Sequence, residues 1–281
     1  MLYYLFRYLE EHFSIPGAGV FEFSSFRAIM AIIVSLMISL FFGKTLIEKL
    51  RKKQVGETIR ELGLEGQAEK KGTPTMGGLI IIAAILIPTL LFAKFRNVYV
   101  ILMIITTVWL GLIGFLDDYI KVFKKDKAGL AGKFKVVGQL GLGLIIGLSL
   151  YYNNEVVVRD FVNERVATQT EIEAATETIT NDAGETVYVI DTKSTTTTIP
   201  FVKSHEFDYA DILFFLDKET AKKYAWIVYV FIVTFIIIAV SNGANLTDGI
   251  DGLAAGTSAI IGLTLAVLAY ISGNAVFAKY L

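Results

Sequence analysis

Six long runs of apolar residues, separated by charged or glycine-rich stretches, set the rhythm of this chain: about 26–43, 77–93, 98–116, 134–151, 225–241 and 253–272. About 20 apolar helical residues cover a hydrocarbon layer of roughly 30 Å. Inside that layer a backbone must satisfy its own hydrogen bonds, which a helix does unaided. The pattern therefore predicts six transmembrane helices. Arg27 opens the first run, where its long side chain reaches back to the interface. Pro88 falls inside the second and is expected to kink that helix rather than end it.

The polar stretches orient these helices. Segment 44–72 carries eight Lys or Arg (Lys44, Lys49, Arg51, Lys52, Lys53, Arg60, Lys70, Lys71), and 117–133 carries five, from Lys121 to Lys133. With six crossings these two loops share one side with the short loop around 242–252. Positive loops stay inside, so that side is expected to be cytoplasmic and both ends of the chain to face outward. The remaining large segment, 152–223, holds 14 acids against 7 bases, which fits the outer side. It is rich in Thr, Val and Ile around an Asn-Asp-Ala-Gly turn at 181–184. That composition predicts short strands, a hairpin among them, with a loosely ordered loop as the alternative. His205 stands alone there and reads as a surface histidine.

Composition agrees. Of 281 residues 54% are hydrophobic, against about 45–50% in a soluble domain, and the mean hydropathy is +0.59. The expected fold class is an all-α polytopic membrane protein, one integral domain over 1–281 with a β-rich outer-face insertion at 152–223. The net charge of −1 implies no pull toward nucleic acid. The chain has no cysteine, which excludes disulfides, thiolate metal sites and cysteine nucleophiles. The first 25 residues, with acids, aromatics and a Pro-Gly pair, lack a cleavable signal pattern.

Three polar motifs fall on the predicted cytoplasmic side. In EKKGTPTMGGL (69–79), glycines allow close backbone approach, Lys70 reaches an anion, and Thr75 places a hydroxyl at a helix start. In GFLDDYIKVFKKDKAGLAGKFK (114–135), Asp117 and Asp118 follow an apolar run directly. Adjacent carboxylates at a membrane boundary repel, so one is protonated or a cation lies between them. Lys121 shares the Asp117 face if the helix continues, and Lys133 opens the next span. In SNGANLTDGIDGLAAG (241–256), Asn242, Asn245, Asp248 and Asp251 recur every three residues between glycines. Bland readings exist for each: a capped helix start, an acidic interfacial cap, a polar interhelical turn. Together, clustered carboxylates with few nitrogen ligands favour Mg²⁺, and lysines beside it neutralise charge on a phosphoryl group in transfer. The residues point to metal-assisted phosphoryl chemistry at the cytoplasmic interface, on a lipid.

KGTPTMGG, GFLDDYIK and NLTDGIDGLA, in this order and on these helices, resemble the bacterial phospho-N-acetylmuramoyl-pentapeptide transferases of the polyprenyl-phosphate hexose-1-phosphate transferase superfamily. The resemblance implies an enzyme of the bacterial inner (cytoplasmic) membrane. It would transfer phospho-MurNAc-pentapeptide from its UDP carrier to undecaprenyl phosphate, giving lipid I and UMP with Mg²⁺, in the first membrane step of peptidoglycan synthesis. It further implies catalytic roles for Asp117 (the base activating the lipid phosphate), Asp118 and Asp248, with Asp117 and Asp118 toward the metal. Lys121 and Lys133 would hold phosphates, and Lys70 and Thr75 the nucleotide sugar. Gly249, Ile250 and Asp251 would contact uracil, with Asn242 and Asn245 completing the polar site. A homodimer is implied, as are about ten helices. The part expected beyond Leu281 would hold the family's main Mg²⁺-ligating aspartate and a histidine-rich loop.

Two other readings stay open at this level. A sibling transferase delivering GlcNAc-phosphate would share most of these residues. An ion-coupled transporter would place its acids at mid-membrane in broken helices; here they fall at helix ends.

Overall fold

The structure, a computed structural model, describes residues 1–53, 76–124, 126, 128–164, 167–180, 186–198, 206–248 and 252–272. The chain divides into two compact units, Met1–Leu142 and Gly143–Leu281.

Unit 1 begins with α1 (Leu2–Phe13), which leads through a short 3₁₀ turn into α2 (Ser24–Met37). α2 passes through one π-helical turn, Ile38–Phe42, into α3 (Gly43–Lys53), so that Ser24–Lys52 is helical throughout. α4 (Gly78–Phe92) continues through Pro88, which is buried. Proline lacks an N–H and crowds the carbonyl four residues back, yet the helix carries on for another turn. α5 (Val98–Phe123) starts where the Asn97 side chain accepts from the Val100 N–H at 3.2 Å, one of the donors a helix start leaves without a partner. It runs about two turns past the apolar stretch, so Asp117 and Asp118 are helical. α6 (Gly132–Tyr152) follows.

Small residues let these helices meet. A Cβ on Gly111 would lie 2.7 Å from Ile82 Cδ1, and one on Gly138 would lie 2.6 Å from Ile113 Cδ1. Close crossing of this kind is the usual packing device where lipid removes the hydrophobic drive between helices. The Trp109 Nε1–H donates to the Gly138 carbonyl at 2.9 Å and fixes the register of α5 on α6. The flanks that carry Phe41, Ile81, Met103 and Leu112 are exposed, a surface only lipid or another apolar partner covers favourably.

Unit 2 takes the remainder of α6 into a small sheet. β1 (Val158–Asn163), β2 (Glu177–Thr180) and β3 (Thr186–Thr192) form an antiparallel sheet in the order β1-β3-β2. The register pairs Val158 with Thr192 and Glu177 with Val189, and the short α7 (Gln169–Glu173) lies between β1 and β2 in sequence. Val189 and Ile190, adjacent on β3, are both buried, so both faces of the central strand are covered. Arg159 makes a two-pronged pair with Asp191 across β1 and β3, at 2.8 and 2.9 Å, and this guanidinium holds Asp191 below the usual carboxylate range. β4 (Thr196–Thr198) and β5 (Glu206–Asp208) form a separate antiparallel pair. The expected strands are present; the 181–184 turn and His205 lie outside the described residues.

α8 (Lys218–Thr247) is capped by Asp217, whose carboxylate accepts from the Thr220 N–H at 3.0 Å, a bond that lowers its pKa. Its buried face carries Ala221, Ala225, Val230 and Thr234. Gly143 and Gly147 of α6 pack on that face: a Cβ on Gly143 would lie 2.7 Å from Thr234 Cα, and one on Gly147 3.2 Å from Val230 Cα. α9 (Leu253–Ser272) is apolar along its length and has no buried residue.

Among the described residues five helices are long and apolar enough to cross a membrane, and α4, with 15 residues, is a shorter apolar sixth. The chain is an all-α polytopic membrane protein with small sheets.

Candidate active site

The polar centre of unit 1 is built on Asp117. From Val98 to Leu116 α5 rises about 28 Å at 1.5 Å per residue, close to the thickness of a hydrocarbon core. Asp117 therefore stands at the boundary, in the turn where the helix leaves the lipid. Its residue is only 8% exposed, and a buried carboxylate needs partners. It has three. Lys121 Nζ, four residues along the same helix, donates to Oδ2 at 2.6 Å. Lys135 Nζ, from the first turn of α6, lies 3.0 Å from Oδ1. The Leu130 backbone N–H donates to the same oxygen at 2.8 Å.

The α5–α6 connection closes tightly around this carboxylate. Gly129 has φ +68°, a conformation L side chains rarely adopt, and a Cβ there would sit 2.5 Å from Asp117 Oδ1 and 2.7 Å from Lys121 Cε. Only glycine meets both demands. The loop thus brings an amide proton and a lysine to one carboxylate without a side chain in the way.

Asp118 differs from its neighbour. Its side chain is 35% exposed, and Lys121 Nζ reaches its Oδ1 only at 4.0 Å. The backbone of Met76 lies against it as a hydrogen-bond donor. Met76 is itself buried and has φ +70°. The described end of the first motif therefore touches the second. Lys121 sits between the two carboxylates, which supplies the cation that their repulsion demands.

The anticipated site residues are distributed as follows. Asp117, Asp118 and Lys121 come together. Lys133 does not face them; its ammonium stands over the Phe134 ring, 5.3 Å from the centroid, and Lys135 takes the place at Asp117. Asn242, Asn245 and Asp248 belong to unit 2, at the C-terminal end of α8. The helix extends to Thr247, so the two asparagines are helical neighbours rather than loop residues, and Asp248 is the C-cap. Asn242 Nδ2 donates to the Ile238 carbonyl at 2.8 Å, and all three residues are exposed. Lys70, Thr75, Gly249, Ile250 and Asp251 lie outside the described residues. Lys135, Gly129 and the Leu130 amide were not anticipated. For Gly129 and Leu130 the sequence holds no signal beyond glycines near two aspartates.

No group of three or more acidic or histidine side chains among the described residues makes a closed metal site. The donor chemistry nevertheless suits Mg²⁺, which keeps waters and takes one or two carboxylates together with phosphate oxygens. Asp118, half-exposed and lightly paired, is the carboxylate with coordination capacity to spare; Asp117 has most of its capacity committed to lysines and the loop.

The described residues thus make a polytopic helical membrane protein that carries a carboxylate–lysine cluster at the end of α5. The sequence profile of glycosyl transferase family 4 matches residues 187–281, and the phospho-N-acetylmuramoyl-pentapeptide-transferase signature 1 matches residues 70–82. Proteins named phospho-N-acetylmuramoyl-pentapeptide-transferase align with the whole chain. Those of Flavobacterium psychrophilum (56% identical), Amoebophilus asiaticus (57%) and Parabacteroides distasonis (56%) are examples. The chain spans 66% of the length of the first two and 64% of the third. The chain belongs to the phospho-N-acetylmuramoyl-pentapeptide-transferase family.

Proposed function

We propose that this chain carries catalytic elements of a bacterial phospho-N-acetylmuramoyl-pentapeptide transferase. The reaction joins phospho-MurNAc-pentapeptide, delivered as its UDP derivative, to undecaprenyl phosphate and releases UMP. The enzyme works in the inner membrane with its site on the cytoplasmic face, and the family expectation of a homodimer extends to it. The observation that carries the reading is the Asp117 cluster, which joins a buried carboxylate to two lysines at a membrane boundary in a chain of this family.

The chemistry follows from the geometry. Lys121 and Lys135 are held within 3.0 Å of Asp117, so a phosphate that either ammonium binds comes to rest beside that carboxylate. Asp117 then accepts the proton of a lipid phosphate monoester, which frees an oxygen to attack the pyrophosphate of the nucleotide sugar. The lysines stabilise charge that spreads over the transferring phosphoryl oxygens. Asp118, the more exposed of the two carboxylates, would hold Mg²⁺, which when bound would draw negative charge away from the pyrophosphate. Lys70 and Thr75 belong to the nucleotide side of the site, and Lys135 takes the phosphate-holding role expected of Lys133. For Asn242, Asn245, Asp248 and the Gly249–Asp251 stretch, the family resemblance suggests polar and uracil contacts to the nucleotide.

The test is exchange of radiolabelled UMP into the nucleotide substrate, in a chain extended to the relatives' full length. Asp117→Asn is expected to abolish exchange, by at least 100-fold, with normal membrane expression. Normal exchange would remove Asp117 from the mechanism.

A further inference from the structure

A second polar site lies at the other end of unit 1. A groove of about 380 Å³ opens between the start of α2, the end of α4 and the start of α5, with Ser24, Arg27, Ala31, Pro88, Thr89 and Lys94 among its walls. Its size falls within the range of small-ligand sites, about 300–1,000 Å³. The chemistry is split. One part is small and apolar, as at Ala31 and Pro88; the other is cationic.

The two cations converge without an acid. The Arg27 guanidinium lies 4.8 Å and the Lys94 ammonium 4.6 Å from the centroid of the same Tyr3 ring. These distances bound the separation of the two charges below 10 Å. Arg27 Nε and Nη1 are buried with no hydrogen-bond partner among the described residues, and no described acid pairs with Arg27 or Lys94. An aromatic face supplies part of what a cation needs, but buried charged donors left without acceptors are expensive. Two cations on the walls of one groove, with no described acid paired to either, suit an anion of phosphate size.

Where that anion comes from is set by depth. Val98, at this end of α5, and Asp117, at the other, are separated by 19 residues, about 29 Å of helix. The groove therefore sits at the opposite membrane boundary from the Asp117 cluster, at headgroup level, with its apolar wall continuing into the hydrocarbon between α2 and α4. We propose that this groove binds the phosphate of an anionic phospholipid headgroup between Arg27 and Lys94, in the leaflet opposite Asp117. The site is independent of the transferase chemistry.

Delipidated protein in detergent is titrated with phosphatidylglycerol, and bound lipid is counted by native mass spectrometry. The unaltered chain is expected to take up one phosphatidylglycerol about tenfold more tightly than phosphatidylcholine, and about tenfold more tightly than the Arg27→Gln/Lys94→Gln double variant. Lys94→Gln alone, which changes an exposed side chain and leaves Arg27 against Tyr3, carries the test if the double variant does not fold; it is expected to weaken binding several-fold. Equal affinity of the unaltered chain and Lys94→Gln for phosphatidylglycerol overturns the proposal, as does equal affinity of the unaltered chain for the two lipids. A third arm uses sn-glycerol 3-phosphate. If it displaces the lipid at comparable concentration, the groove takes a soluble phosphate and the lipid assignment fails.

Discussion

At the residue scale the lesson is how one buried carboxylate organises its surroundings. Asp117 is tolerated because two ammoniums and an amide converge on it, and removing one partner of a buried pair costs about 3–5 kcal/mol through the charge left behind. The two lysines of the segment GKFK are two positions apart, about 200° around a helix, so only one of them faces α5. The structure selects Lys135. We expect Lys135→Met to lower UMP exchange at least 100-fold, and Lys133→Met, whose ammonium lies over Phe134, to lower it no more than about tenfold. Exchange assays on the two variants, read beside their detergent-solubilised yield, check the ranking; the reverse order would remove Lys135 from the site.

Much of this cluster was legible in advance. The spacing of Asp117 and Lys121 is that of helical neighbours, and two acids after an apolar run announce a special environment. What was not legible is tertiary. Hydropathy marks where the lipid ends, not where the helix ends, so α5 passes two turns beyond the apolar run and carries both aspartates. The choice of Lys135 over Lys133 depends on the register of α6 against α5, which the Trp109–Gly138 bond sets. Gly129 is required by a carboxylate that comes from 12 residues earlier in the chain, and no local pattern reports that.

At the element scale, glycine decides how close the helices come. The apolar runs named the helices without difficulty, and Pro88 proved compatible with a continuing α4. The runs said nothing about which faces meet. In unit 2 the answer is Gly143 and Gly147 on the Val230–Thr234 face of α8. The obstruction at Gly143 is backbone, which cannot swing aside. Gly143→Val is therefore expected to separate α6 from α8 and destabilise unit 2 by about 1–3 kcal/mol, the usual cost of overpacking. Thermal unfolding in detergent, followed by circular dichroism, measures it. An unchanged midpoint would show that this crossing is not a tight one in solution.

At the scale of the whole molecule, the basic loops and the acidic sheet are proposed to lie on opposite sides of the membrane. The chain has no cysteine, so single cysteines report cleanly. A membrane-impermeant maleimide added to intact spheroplasts is expected to label Thr178→Cys, on exposed β2, and to reach Lys124→Cys, just past α5, only after permeabilisation. Labelling of both from one side would reverse the assignment of the loops.

The small sheet has one further consequence. β1 and β3 are paired so that Val158 lies opposite Thr192, and facing residues of an antiparallel pair are about 5 Å apart. Lys193 donates to the carbonyls of Tyr151 and Tyr152, where α6 ends. The polypeptide thus departs from the helical bundle and returns to it at almost the same spot, having built a self-contained core around Val189 in between. Such a cassette is free to lengthen, shrink or be exchanged over generations while the helices on either side stay in place, because closing the gap asks for no more than a few residues of linker.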